Sequence, residues 1–313
     1  MNRYKKIILT TTIALFCLAV YAQQVPMYTH YMYNTLVVNP AYAGSRNALT
    51  VTALHRSQWV GFDGAPTTQT LTIHSPVRNK NIGVGLSVMK DKIGPLNSTS
   101  VAGHFSYSIK MTEKAKLSLG LSGGVNMMDV DLNTLQLDQQ NDPVFINGIE
   151  NRTTPDVGFG AYYSRERFYA GISAPNLLEN NYARTNNTNG AELRGKEQRH
   201  YFFIAGTVFK LSESLLLRPT TLVKVTQSAP IQADLTATFI IMSKLHLGGM
   251  VRSGDAVGAL VGFNITEQLN LGYSYDWSYG LSSSTYNRGS HEVMLRYDFI
   301  SKSQKQILNP RYF

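Results

Sequence analysis

The chain reads as an all-β protein, an antiparallel transmembrane β-barrel of about 14 strands over residues 47–300, preceded by an N-terminal plug or periplasmic segment. Three observations predict it. Apolar and polar residues alternate one by one in run after run between residues 48 and 299. The links between runs are alternately short and long, and the chain opens on an export signal. Period-2 alternation places successive side chains on opposite faces of a strand.

Arg3, Lys5 and Lys6 precede an uncharged stretch from Ile7 to Val20 that ends in Val20-Tyr21-Ala22. A positive start, an apolar middle and a small-residue cleavage site make residues 1–22 a secretory signal peptide. The stretch falls short of the ~20 apolar residues of a spanning helix. Cys17 suggests lipoprotein processing, but Phe16 before it is too bulky for that site. Gln23 is therefore the expected mature start. Cleavage removes the one cysteine and three positive charges, lowering the formal net charge from +9 to +6. An exported chain without cysteine has no disulfide framework, so another constraint must hold it. Lys and Arg are dispersed mainly at turns, which argues against nucleic acid as a partner.

Residues 23–46 are rich in aromatics, Asn and Pro and lack a clean period. They are expected to plug the lumen, cap the periplasmic mouth or contact a partner. Gln24, Pro26, Tyr31, Asn34, Asn39, Pro40, Ala41 and Gly44 are the candidate residues.

Strands are expected at 48–56, 67–76, 81–90, 98–110, 115–129, 155–164, 167–174, 199–210, 214–226, 231–242, 244–252, 255–265, 268–277 and 290–299. Most approach the ~9–11 residues that a tilted strand needs to cross a bilayer. Even-numbered strands are followed by short polar links such as Thr112-Glu113-Lys114 and Ser243-Lys244. Odd-numbered strands are mostly followed by longer ones, at 58–66, 131–154, 175–198 and 278–289, with Ser253-Gly254 the exception. Short periplasmic turns and long extracellular loops are the mark of outer-membrane barrels, and an even strand count leaves both termini periplasmic.

One face of each strand suits lipid. Ile231, Ala233, Leu235, Ala237 and Phe239 are apolar, opposite Gln232, Asp234, Thr236 and Thr238. Aromatics gather at strand ends, as in an interfacial girdle. Arg218, Lys224, Asp234, Arg252, Asp276, Glu292, Arg296 and Asp298 fall on the inward face, as candidates for ion pairs across the lumen or for holding a plug. Strand glycines, among them Gly83, Gly120, Gly123 and Gly160, are expected to allow bends or close packing against lumen contents. Residues 301–313 form a periplasmic tail, and Tyr297-Asp298-Phe299 suits a barrel-assembly signal.

Catalytic chemistry finds little support. Gly120-Leu121-Ser122-Gly123-Gly124 fits the G-x-S-x-G pattern, yet Ser122 sits inside an alternating strand with no helix after it. The seven histidines show no metal-ligand spacing. No cofactor is expected, and no enzymatic activity.

Several stretches resemble the PorP/SprF family of outer-membrane proteins of the type IX secretion system in Bacteroidota. The most specific run from Gln24-Val25-Pro26-Met27-Tyr28-Thr29-His30-Tyr31-Met32-Tyr33-Asn34 to Asn39-Pro40-Ala41-Tyr42-Ala43-Gly44. Arg56-Ser57-Gln58-Trp59, Pro155-Asp156-Val157-Gly158, Gly272-Tyr273-Ser274-Tyr275-Asp276 and Pro310-Arg311-Tyr312-Phe313 extend the similarity. The resemblance implies a non-enzymatic barrel that helps export, anchor or display cargo carrying a C-terminal signal, including gliding adhesins. It implies periplasmic secretion-system components as partners beside outer-membrane lipid. The competing expectation is an outer-membrane channel for hydrophobic small molecules.

Overall fold

The structure, a computed structural model, describes residues 25–77, 81–131, 152–185, 192–227, 229–279 and 288–300. The expected signal peptide and C-terminal tail, Gln24, and much of the links 131–154 and 278–289 lie outside the described residues.

The first seven strands are β1 (Leu49–Ser57), β2 (Thr67–Pro76), β3 (Ile82–Ile93), β4 (Leu96–Thr112), β5 (Ala115–Val130), β6 (Arg152–Arg165) and β7 (Phe168–Asn176). A separate hairpin follows, β8 (Asn181–Thr185) with β9 (Glu192–Lys196). The wall resumes with β10 (His200–Thr207) and the short β11 (Phe209–Lys210). It continues through β12 (Leu215–Thr226), β13 (Ala229–Ile241), β14 (Leu245–Arg252), β15 (Ala256–Asn264), β16 (Leu269–Ser278) and β17 (Ser290–Phe299). Consecutive wall strands pair antiparallel, β7 with β10 and β10 with β12 included. The first strand meets the last in unbroken register, Leu49 opposite Phe299 through Ser57 opposite His291. The result is a closed 14-stranded barrel. Closure satisfies the backbone of β1 and β17, whose unpaired polar groups would each cost several kcal/mol in hydrocarbon.

Alternation sorts the two faces as the sequence predicts. Leu235 is 63% exposed while its neighbour Asp234 is fully buried. Leu271, Tyr273, Tyr275 and Trp277 face out, and Asn270, Ser274 and Asp276 face in. An uncovered row of Leu, Val, Phe and Tyr around a closed wall is a surface for lipid. Among the described residues no helix is long and apolar enough to cross a membrane; the crossing is made by strands.

One expectation needs correction, and the structure adds two features. Residues 91–97 are not a link: β3 and β4 stay paired to Ile93 opposite Leu96, around Gly94 at φ +54°. Alternation persists there, with Asp91 buried and Lys92 exposed, so nothing ends the ladder. The link 175–198 carries a hairpin of its own, β8 paired with β9. Glu197 anchors that hairpin's base, accepting from Asn180 at 2.5 Å and from Asn126 of β5 at 3.2 Å. The inward face also carries apolar residues. Leu54, Phe202, Ile204, Leu222 and Met294 all point inward and are buried.

Candidate functional site

Those inward apolar residues pack against residues 27–43. A single helical turn, α1 (Thr35–Val38), and a 3-10 turn at Pro40–Tyr42 are the regular structure in residues 25–46. The Asn39 side chain starts the 3-10 turn by accepting from the Ala41 N–H at 3.0 Å. The segment touches strands far apart around the ring. Tyr31 bonds Thr220 of β12 at 3.0 Å, and Asn34 donates to Thr70 of β2 at 2.8 Å. The Asn39 amide donates to the Ala161 carbonyl of β6 at 3.1 Å and that of Ile172 of β7 at 3.4 Å. A segment in contact with strands so spaced around a closed wall lies inside it.

Of the sequence candidates, Tyr31, Asn34, Asn39, Pro40 and Ala41 are buried, Pro26 and Gly44 are half-buried, and Gln24 is outside the described residues. Gly44 adopts φ +70° and its N–H donates to His74 of β2 at 3.1 Å. The fit is close where glycines face inward. A Cβ on Gly120 would overlap the backbone of Ala41, and one on Gly160 would overlap the Asn39 side chain. Tyr28, Tyr31 and Leu36 are almost fully buried, and burial of the leucine side chain alone contributes about 1.5–3 kcal/mol. Burial pushes the Tyr31 phenol up to about 12, with the Thr220 and Thr236 hydroxyls pulling the other way.

The inward charges form two layers. In the layer nearer the long loops, Glu292 accepts from the backbone N–H groups of Thr29 at 3.0 Å and His30 at 2.6 Å. The His30 ring nitrogen Nδ1 lies 2.8 Å from the same carboxylate. Arg56 lies 2.7 Å from Asp276 and 3.2 Å from Glu292. Thr29 Oγ1 donates to Asp276 at 2.6 Å. Arg252 grips Asp234 through Nε at 3.0 Å and Nη2 at 2.9 Å. Lys224 donates to the Val25 carbonyl at 3.1 Å.

The layer nearer the short turns centres on Tyr33. The Arg218 and Arg296 guanidinium carbons lie 4.8 and 5.0 Å from its ring centroid, and Arg218 also donates to its hydroxyl. Arg46 binds Asp298 through Nε at 3.2 Å and Nη2 at 2.8 Å, and Thr50 adds a bond at 2.7 Å. Burial works against the Arg46 charge, but the Asp298 carboxylate outweighs it and raises the pKa.

Alternation placed Arg218, Asp234, Arg252, Asp276, Glu292 and Arg296 on the inward side; that Arg218, Asp276, Glu292 and Arg296 meet residues 25–46, while Asp234 and Arg252 pair with each other, was not legible. Arg56 was missed although it shares the inward parity of Thr50 and Thr52. Thr29, His30, Tyr33 and Arg46 sit in a segment without a period, which leaves no signal to find them by. β17 ends at the short-turn rim, whereas Val25 lies beside Lys224, two residues from the opposite end of β12.

Ser122, the rejected nucleophile, lies mid-strand opposite His104 and Gly158. Among the described residues no three His, Cys, Asp or Glu side chains group to hold a metal.

A family described as type IX secretion system membrane protein PorP/SprF matches residues 20–297. The match stops short of the closing Pro310–Phe313 motif. No curated relative matches the chain. Similar solved structures include the NanC porin, at 10% identity over 81% of this chain and 100% of that one, with a TM-score of 0.41. The monoaromatic hydrocarbon channel CymD is 9% identical over 86% of this chain and 93% of its own, with a TM-score of 0.48. Omp33 of Acinetobacter baumannii is 9% identical over 81% of this chain and 99% of its own, with a TM-score of 0.45.

Proposed function

The chain belongs to the PorP/SprF family of type IX secretion system membrane proteins, and from that premise we propose that it is a non-enzymatic outer-membrane anchor whose lumen is closed by its own residues 25–46. The observation that carries this reading is the occupied lumen. Buried bonds from Thr29, His30, Tyr31, Asn34, Asn39 and Arg46 run to strands around the whole wall. A conduit for solutes has no use for so many contacts across its path. A rigid barrel that presents its rims to other proteins does.

On this reading the signal peptide is removed after Ala22 and the long-loop rim faces the outside. The loops there receive exported cargo with a C-terminal signal, adhesins of gliding motility among it. The short-turn rim and the tail 301–313 meet periplasmic secretion components. The long-loop rim is laced for such a role. Val60 of the β1–β2 loop exchanges backbone bonds of 2.8 Å with Arg288 and Gly289, and Gly64 accepts from the Gly94 N–H at 2.9 Å.

Affinity purification of the tagged protein after mild detergent extraction tests the reading. A large secreted protein with a C-terminal signal should come with it, and deletion should leave that cargo inside the cell. Solute uptake that is lost on deletion while secretion stays normal would establish the channel instead.

A further inference from the structure

The outer wall carries a feature that secretion does not explain. Apolar side chains cover it almost everywhere, but the sector of β1 to β4 changes character toward the long-loop rim. Cross-strand register places Ala53, Leu71, Val88 and Val101 side by side. The next row toward the rim is His55, Gln69, Lys90 and Thr99, and the row after that Ser57, Thr67, Lys92 and Asn97. Lys90 and Lys92 both point outward and are exposed. They are the lysines of the outer wall's long-loop half among the described residues, and they stand two residues apart on one strand.

A groove of about 520 Å³ runs across the same sector. Its floor is Ala53, Leu71, Val88 and Leu295. Its rim-side end is His55, Gln69 and Lys90. Lysine on a lipid-facing wall is unfavourable at mid-membrane and tolerated near the interface, where its head reaches charged groups. An apolar trough that ends in donors and a cationic pair matches one kind of molecule: an acyl chain joined to a phosphate.

We propose that this groove is a binding site for a phosphorylated lipid of the outer leaflet, its acyl chain on Ala53, Leu71 and Val88 and its phosphate held by Lys90 and Lys92, with His55 and Gln69 donating beside them. The inference rests on the outward orientation of the long-loop rim. A bound lipid of this kind fixes the depth and tilt of the barrel and stiffens the β1–β4 sector beneath the loops.

Native mass spectrometry of the mature protein in detergent tests it, with bisphosphorylated lipid A, dephosphorylated lipid A and phosphatidylglycerol as probes. Lipid A should be retained over its dephosphorylated form. In the Lys90→Gln/Lys92→Gln double variant that retention should fall roughly thirtyfold, taking the usual gain per lysine at a charged lipid surface. Ala53→Trp, which fills the trough, should weaken both forms of lipid A alike. Heat-modifiable migration in gels verifies that each variant is folded. Equal retention of the two forms, binding unchanged in the double variant, or a preference for phosphatidylglycerol would overturn the proposal. Labelling of Ser253→Cys in whole cells by an impermeant maleimide checks orientation separately. A labelled rim with no lipid preference defeats this inference alone.

Discussion

Glu292, on the last strand, holds the backbone N–H groups of Thr29 and His30, 263 and 262 residues away in sequence. One buried carboxylate thus joins residues 29 and 30 to the final strand, with Arg56 of the first strand 3.2 Å away as counter-charge. Wall closure and lumen filling meet at this group.

Glu292→Gln removes that charge and leaves Arg56 with Asp276 alone. Glu292 is also the charged acceptor of the Thr29 and His30 N–H groups. Hydrogen bonds to a charged group contribute about 1.5–3 kcal/mol, and that loss falls on docking of residues 25–46. Limited proteolysis should cut the segment faster while the barrel keeps its heat-modifiable gel mobility. Arg296→Glu should act the same way through Tyr33. A variant that fails to insert in the membrane at all would contradict the division between wall and plug.

Gly120→Val forces a side chain into the space of the Ala41 backbone. An overpacked contact of this kind costs about 1–3 kcal/mol. Gly123, three residues on, has nothing within 4 Å of the corresponding position. Gly123→Ala should therefore stay within about 0.5 kcal/mol of the parent in urea unfolding. Equal effects at the two sites would contradict the docked segment.

Leu235 distinguishes a membrane wall from a soluble one. At 63% exposure a lysine there would be harmless in water, whereas on a lipid-facing wall it costs about 2–4 kcal/mol at mid-depth. Folding titrations of Leu235→Lys into lipid vesicles should show that penalty.

Tyr31 supplies a pH signature. Its phenol is raised from an ordinary 10.0 to about 12 inside the barrel. The docked state therefore favours the protonated form. Its contribution is complete below about 10 and is lost as pH climbs through about 12. Phenolate absorbance of the parent minus that of Tyr31→Phe should show one group ionising near 12, and a difference curve centred near 10 would mean the segment is not docked.

Strand order, closure and the sorting of side chains between lipid and lumen were legible in the chain, because a two-residue period states each side chain's face without reference to distant residues. Asp234 and Leu235 show it. Strand ends were read less well wherever alternation ran into a tight turn, as at Gly94. The local pattern also marked Glu292, Asp276 and Arg296 as inward, but not what they hold. Residues 25–46 have no period because they form neither strand nor long helix, so each side chain is placed by whichever wall residue it meets. That Thr29 and His30 reach Glu292, and that Arg46 reaches Asp298, is decided only once the ring has closed. The wall follows from short-range alternation and the demand that every backbone polar group be paired in hydrocarbon. The filled lumen follows from contacts across more than two hundred residues, which only the assembled barrel brings within bonding distance.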